Sequence, residues 1–264
     1  MSLTLKLNKK ILILLSFVLA IIIFLGIFLI FKEPAGAPAA PQTSNEAEKL
    51  EQTIQTKESP PNVAETPTQP PGFDKKKYSL EDPTSIWVVI NKKRPLPSSY
   101  TPSDLTNVLG GLLRAEASGN LTNLVSSAKN SGYTLSIISS YRSFSTQQTT
   151  YNNYVAIDGQ AKADTYSARP GYSEHQTGLA ADLGNGACNL EICFGDSPAG
   201  KWLAVNSYKY GFIIRYPADK TTATGYQYEP WHLRYVGSDL ATEMQKTSTK
   251  TLEEFFSLTS APGY

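Results

Sequence analysis

Ser173-Glu174-His175-Gln176-Thr177-Gly178-Leu179-Ala180-Ala181-Asp182 is the stretch on which the reading of this chain turns. The turn residues Arg169-Pro170-Gly171 precede it and put His175 on a loop. From Leu179 to Leu183 the apolar run reads as a short strand, with Asp182 near its far end. Gly178, Ala180 and Ala181 are small enough to let backbone pass close to a site. An imidazole and a carboxylate so spaced can meet at one ion if the chain bends between them, and both are natural zinc ligands. Spacing alone leaves a second reading open, a hydrogen-bonded histidine with no metal.

Working outward, Ser85 to Ile90, Thr134 to Ser139, Gly211 to Tyr216 and Trp231 to Val236 also read as short strands. Helical spacing predicts helices over Asp104 to Ala117 and over Leu121 to Ser131, the second stopped by Gly132. Ser145 or Thr146 is the expected cap of a helix running to about Ile157. Gly200 to Tyr210 and Leu252 to Leu258 complete the set. Strands that arrive singly among helices, without regular alternation, argue for a single α+β domain over a doubly wound sheet.

Glu229-Pro230-Trp231-His232-Leu233-Arg234-Tyr235 is the second chemistry-bearing segment. Pro230 forbids a helix there, so Glu229 and His232 fall near one another at the start of a strand. His232 with His175 and Asp182 makes a two-histidine, one-carboxylate set that leaves a position open for water, and Glu229 is then free as a general base. The competing arrangement pairs Glu229 with Arg234 on the surface and packs His232 in the core. A third segment, Ser140-Tyr141-Arg142-Ser143-Phe144-Ser145-Thr146-Gln147, sets Arg142 where a strand passes into a helix. It is either a solvated guanidinium or one that meets a substrate carboxylate or developing oxyanion. Tyr226 and Trp231, in an aromatic-rich stretch, serve either the core or the wall of a cleft.

Taken together the three segments resemble the zinc D-alanyl-D-alanine carboxypeptidases of the VanY type. The pattern Ser-x-His-x-x-Gly-x-Ala-x-Asp is met by Ser173, His175, Gly178, Ala180 and Asp182, and Glu-Pro-Trp-His-x-Arg-Tyr by residues 229 to 235. The Tyr-Arg-Ser segment with a glutamine five residues past the arginine is met by Tyr141, Arg142, Ser143 and Gln147. The resemblance implies a small α+β domain with an antiparallel sheet lining a zinc cleft, one Zn2+ on His175, Asp182 and His232, and Glu229 as base. It implies that Arg142 stabilises the transition state or holds substrate, and that Ser173 and Gln147 hydrogen-bond the terminal residue. The substrate implied is a peptidoglycan stem peptide cut at a terminal D-alanine. An L,D-carboxypeptidase acting on tetrapeptide stems, an endopeptidase, and a zinc module without catalysis are the alternatives.

Composition bounds what surrounds this domain. With 24 basic and 23 acidic residues the formal net charge is +1, which gives no reason to expect nucleic acid as a partner. The chain has two histidines, and both lie in the segments above. Ile11 to Phe31 is uncharged throughout, and its roughly 21 residues match the ~20 needed to cross a bilayer as a helix. Lys6, Lys9 and Lys10 precede it, so residues 1–10 stay cytoplasmic and the rest lies outside. Ala35-Gly36-Ala37 offers a competing signal cleavage site. Residues 32–75 carry eight of the 17 prolines and almost no large apolar side chain, so they are expected to be a disordered tether about 35 Å in mean reach. The catalytic domain is then 76–264, extracytoplasmic on a single-pass anchor. Cys188 and Cys193 either close a small ring in an oxidising compartment, worth about 2 kcal/mol, or remain free thiols.

Overall fold

The computed structural model describes residues 72–264. The expected cytoplasmic segment, the anchor over 11–31 and the linker up to residue 71 lie outside the described residues. Among the described residues no helix is long and apolar enough to cross a membrane.

Two sheets organise the domain. A hairpin of β1 (Leu105–Val108) and β2 (Gly111–Arg114) leads into α1 (Ala115–Asn130), followed by β3 (Ser136–Ser139), α2 (Phe144–Asp158) and α3 (Gln160–Tyr166). After a single 3-10 turn, Glu174–Thr177, come β4 (Ala180–Gly184), α4 (Pro198–Asn206), β5 (Phe212–Tyr216), β6 (Glu229–Tyr235) and α5 (Ser238–Lys246). Strands β3, β4, β6 and β5 form, in that order, a four-stranded sheet whose every pairing is antiparallel. The α+β expectation therefore holds. All residues of β4 and β6 are buried, which fits the central places these strands occupy in the sheet, although β4 carries Asp182 and β6 carries Glu229, His232 and Arg234. Pro230 is accommodated inside β6 because the register against β5 shifts between Ile214↔Leu233 and Tyr216↔Glu229, so no regular ladder bond is asked of its missing N–H.

The main core gathers Leu113, Leu121, Leu124, Leu179, Leu183, Phe194, Leu203, Phe212 and Leu233. A second cluster packs Trp87, Val89, Val236, Leu240, Leu252 and Phe255 behind the sheet. Burying some twenty apolar side chains at about 1.5–3 kcal/mol each is what offsets the chain's ordering entropy.

Several expected elements are corrected. Residues 104 to 117 do not form one helix: Leu109 and Gly110 both take positive φ, +48° and +88°, and turn the chain into the β1–β2 hairpin, with α1 starting only at Ala115. The three-and-four spacing of its leucines is satisfied by a hairpin that buries Val108 and Leu113 on the core side. Nor is Ser85 to Ile90 a strand. Trp87, Val88, Val89 and Ile90 are buried and Ile86 half-buried, yet the segment's carbonyls accept from arginines instead of a neighbouring strand: Ile86 and Val88 from Arg234 Nη2 at 3.1 and 2.6 Å, and Ile90 from Arg215 Nη2 at 3.4 Å. The cap of α2 is Ser143, whose hydroxyl accepts from the Thr146 N–H, not Ser145 or Thr146.

Candidate metal centre

The pairing of β4 with β6 decides the site, because it sets Asp182 directly opposite His232. The 3-10 turn brings in the third group. Gly178 ends that turn at φ +68°, and a Cβ there would lie 2.9 Å from Leu105 and 3.0 Å from Arg114, so only glycine allows the β1–β2 hairpin to close over the turn. Hairpin and turn are joined by the Arg114 N–H donating to the Gly178 carbonyl at 2.8 Å. His175, Asp182 and His232 consequently present one ligand atom each within 4.8 Å of one another, all buried. His175 Nε2 is 3.2 Å from Asp182 Oδ2, and His232 Nδ1 is 3.1 Å from Asp182 Oδ1.

In His175 the second ring nitrogen fixes which nitrogen is left to bind. His175 Nδ1 lies 2.7 Å from the Ser140 carbonyl, to which it donates, so Nε2 carries the lone pair. His232 Nε2 faces Glu174 Oε2 at 3.6 Å, which leaves Nδ1 turned towards Asp182. Asp182 Oδ1 and His232 Nε2 are buried with no hydrogen-bond partner among the described residues, as is Glu174 Oε2. Buried polar atoms without partners are costly, and a cation shared by the two imidazoles and Asp182 removes that cost for the aspartate. The donor set and its arrangement fit zinc.

Glu229 stands next to this set without belonging to it, its Oε2 3.7 Å from His232 Nδ1. Burial pushes its carboxyl up to about 8. Burial opposes charge on His232, but the Asp182 and Glu174 carboxylates overcome it and raise the imidazole to about 9. Asp182, in spite of its burial, is held well below the usual carboxylate range by the two histidines.

Arg142, Gln147, Ser173, Tyr226 and Trp231 line the same cleft as the three ligands and Glu229, so the expected ligand, base and substrate-binding residues are brought together. Arg142 is held by two hydrogen bonds, Nη1 to Gln147 Oε1 and Nη2 to Ser139 Oγ, both 2.7 Å. The Gln147 amide also donates to the Ala168 carbonyl at 2.6 Å, which leaves it one N–H and one lone pair for any ligand. Cys188 and Cys193 are joined in a disulfide, with Cα atoms 5.8 Å apart.

Glu229 is not paired with Arg234. Arg234 is fully buried and donates from Nη1 to Glu174 Oε1 at 2.7 Å; the same oxygen accepts from Arg215 Nε at 2.8 Å. Arg215 in turn grips Glu253 through both terminal nitrogens, at 2.9 and 2.7 Å. The Arg215 and Arg234 charges hold the Glu174 carboxyl well below its ordinary value against complete burial. Sequence reasoning missed this network. The one available signal was the position of Arg215 and Arg234 within strands otherwise built for burial.

Two histidines and one carboxylate on a cation, with a second carboxylate unligated alongside and a cleft open beyond them, define the class of mononuclear metallohydrolases. The chain belongs within that class to the VanY family of D-alanyl-D-alanine carboxypeptidases, which matches residues 111–238. It is 42% identical over 190 residues to the protein YodJ of Bacillus subtilis (strain 168), covering 67% of this chain and 69% of that protein. The structure of the LD-carboxypeptidase LdcB is similar with a TM-score of 0.63 at 42% identity, over 67% of this chain and 88% of that one. The vancomycin-resistance D,D-pentapeptidase VanY, solved in complex with Zn(II), is similar with a TM-score of 0.57 at 34% identity, over 64% and 97%.

Proposed function

We propose that this protein is a zinc-dependent carboxypeptidase that removes the terminal D-alanine from peptidoglycan stem peptides ending in D-alanyl-D-alanine. His175 through Nε2, Asp182, and His232 through Nδ1 would hold the metal. Zinc bound there supplies a polarised scissile carbonyl and a water acidified towards neutrality. Glu229, with its proton affinity raised by burial, takes the proton of the attacking water and returns it to the departing amine. Arg142, fixed by Gln147 and Ser139, offers its guanidinium to the substrate carboxylate or the oxyanion. Ser173 and the remaining capacity of Gln147 hydrogen-bond the terminal residue, between walls made by Tyr226 and Trp231. The observation that carries this reading is the cross-strand pairing of Asp182 with His232, which leaves Glu229 3.7 Å away and unligated.

The uncharged stretch over 11–31 and the proline-rich segment over 32–75 support placing domain 76–264 outside the membrane on a single-pass anchor, with residues 1–10 cytoplasmic. A wall peptide lies in that compartment. A second reading, an L,D-carboxypeptidase, is favoured by the higher identity to LdcB than to the D,D-pentapeptidase. The test is to incubate the full-length protein with defined muropeptides, with and without chelator, and weigh the products. Loss of one D-alanine from pentapeptide, abolished by chelator and restored by zinc, is expected. Cleavage of tetrapeptide alone assigns the L,D reaction, and no cleavage of either rejects both carboxypeptidase readings.

A further inference from the structure

We infer that the disulfide-closed loop Cys188–Cys193 and the outer face of α2 form a second subsite of the catalytic cleft. It grips an aliphatic side chain on the peptide upstream of the scissile bond, and the inference rests on the carboxypeptidase reading above.

Three observations converge on Leu190. It lines the same cleft as His175, Asp182, Glu229 and His232, together with Thr150, Tyr154 and Tyr166. It is a large apolar side chain left 41% exposed, and Tyr154 is 38% exposed. Its φ is +56°, a left-handed conformation that a leucine adopts only when its surroundings impose it.

Those surroundings are local and specific. The Cys188–Cys193 bond closes the loop at its base. Cys188 packs on the main core, and Phe194, directly after the second cysteine, is fully buried. The Asn185 Oδ1 accepts from the Cys188 N–H at 3.0 Å, and Asn189 Oδ1 from the Gly186 N–H at 3.1 Å. Nothing in this arrangement buries Leu190 itself. The loop is braced in a strained shape that keeps an apolar side chain at the cleft.

Tyr154 is equally fixed. Its ring meets Tyr166 edge to face at 5.1 Å, and the Tyr166 hydroxyl donates to Asp158 Oδ2 at 2.6 Å. Leucine, threonine and two aromatic rings present no charge of their own. Such a lining suits the methylene chain of a long side chain better than a carboxylate or a sugar hydroxyl. Binding energy gathered there, away from the reacting bond, serves to align that bond with Glu229.

The test compares the full-length wild type with Leu190→Gly, a change that removes the side chain and suits the left-handed backbone. Each is assayed on a pentapeptide stem and on N-acetyl-D-alanyl-D-alanine, which lacks the upstream residues. The ratio of kcat/KM for the long over the short substrate should fall about fivefold, through KM, on losing one half-buried apolar contact. Cys188→Ser/Cys193→Ser, which frees the loop while keeping Leu190, should lower the ratio in the same direction. An unchanged ratio in both variants, or an equal loss on the two substrates, overturns the subsite while leaving the hydrolase intact. Failure of the wild type on both substrates overturns the D-alanyl-D-alanine reading instead, and the subsite with it.

Discussion

Glu174→Gln keeps the size and shape of the side chain and removes one charge, so it isolates what the buried carboxylate does. Arg215 retains Glu253 in that variant, at 2.7 Å. Arg234 does not fare so well, because Glu174 is its carboxylate partner among the described residues and its side chain is wholly buried. A buried charge left without its partner destabilises by about 3–5 kcal/mol. For a domain of this size each kcal/mol moves the melting point by about 2–4 °C, so the variant should melt roughly 6–20 °C lower. Glu174 Oε2 also faces His232 Nε2, and removal of such an orienting carboxylate weakens metal binding by about ten- to a hundredfold. Thermal melts of the metal-free protein measure the first effect and chelator competition for zinc the second. A variant that melts within about 2 °C of wild type would show that Arg234 is balanced in some other way. Unchanged zinc affinity would remove Glu174 from the orientation of His232.

Glu229→Gln should keep its zinc and lose about 3 kcal/mol of transition-state stabilisation, a hundredfold or more in kcat; metal analysis alongside turnover checks both halves, and undiminished turnover removes Glu229 as the base. His232→Ala should lose the metal itself, read as zinc content after dialysis. Burial works to raise the Glu253 carboxyl, but Arg215 more than offsets it, and the net value lies below the ordinary 4.5. Its contribution to stability is therefore complete above about pH 4.5 and is lost as pH falls through the lower folded value. Melting points of Glu253→Gln should accordingly depend less steeply on pH than those of wild type below about pH 4.5, and parallel profiles would refute the pairing.

The site was more legible in the sequence than the frame that holds it. Metal ligation restricts residue type to a few side chains, so His175, Asp182, Glu229 and His232 could be picked out by type and order, and the structure brings them together. Secondary structure near the site was readable where one constraint dominated: Gly132 does end the first long helix, in that Ser131 follows its last residue and Gly132 takes φ +87°. It failed where two elements share one apolar spacing. Leu105, Val108, Leu112 and Leu113 suit a helix face as well as a hairpin, and the positive φ of Leu109 that decides the matter is not one that leucine advertises. Ser85 to Ile90 failed for a different reason: its apolar content announced burial correctly, while the fate of its carbonyls depended on arginines about 125 to 150 positions away. Glu174 went unnoticed because a glutamate beside a histidine reads as solvated until its two guanidinium partners are known.

The way those arginines hold the segment before β1 has a consequence for how this protein can change and where it can be cut. Arg234 and Arg215 recognise residues 86, 88 and 90 through main-chain oxygens, which every amino acid supplies. The path of this strap is therefore fixed while its spelling is left free, apart from the need to stay apolar. Glu253 lies beyond the matched region at its other end, as the strap does before it. A fragment trimmed to 111–238 would strip Arg234 of its acceptors before that span and Arg215 of acceptors on both sides of it, so the span that carries the family signature leaves out groups that the two buried arginines need.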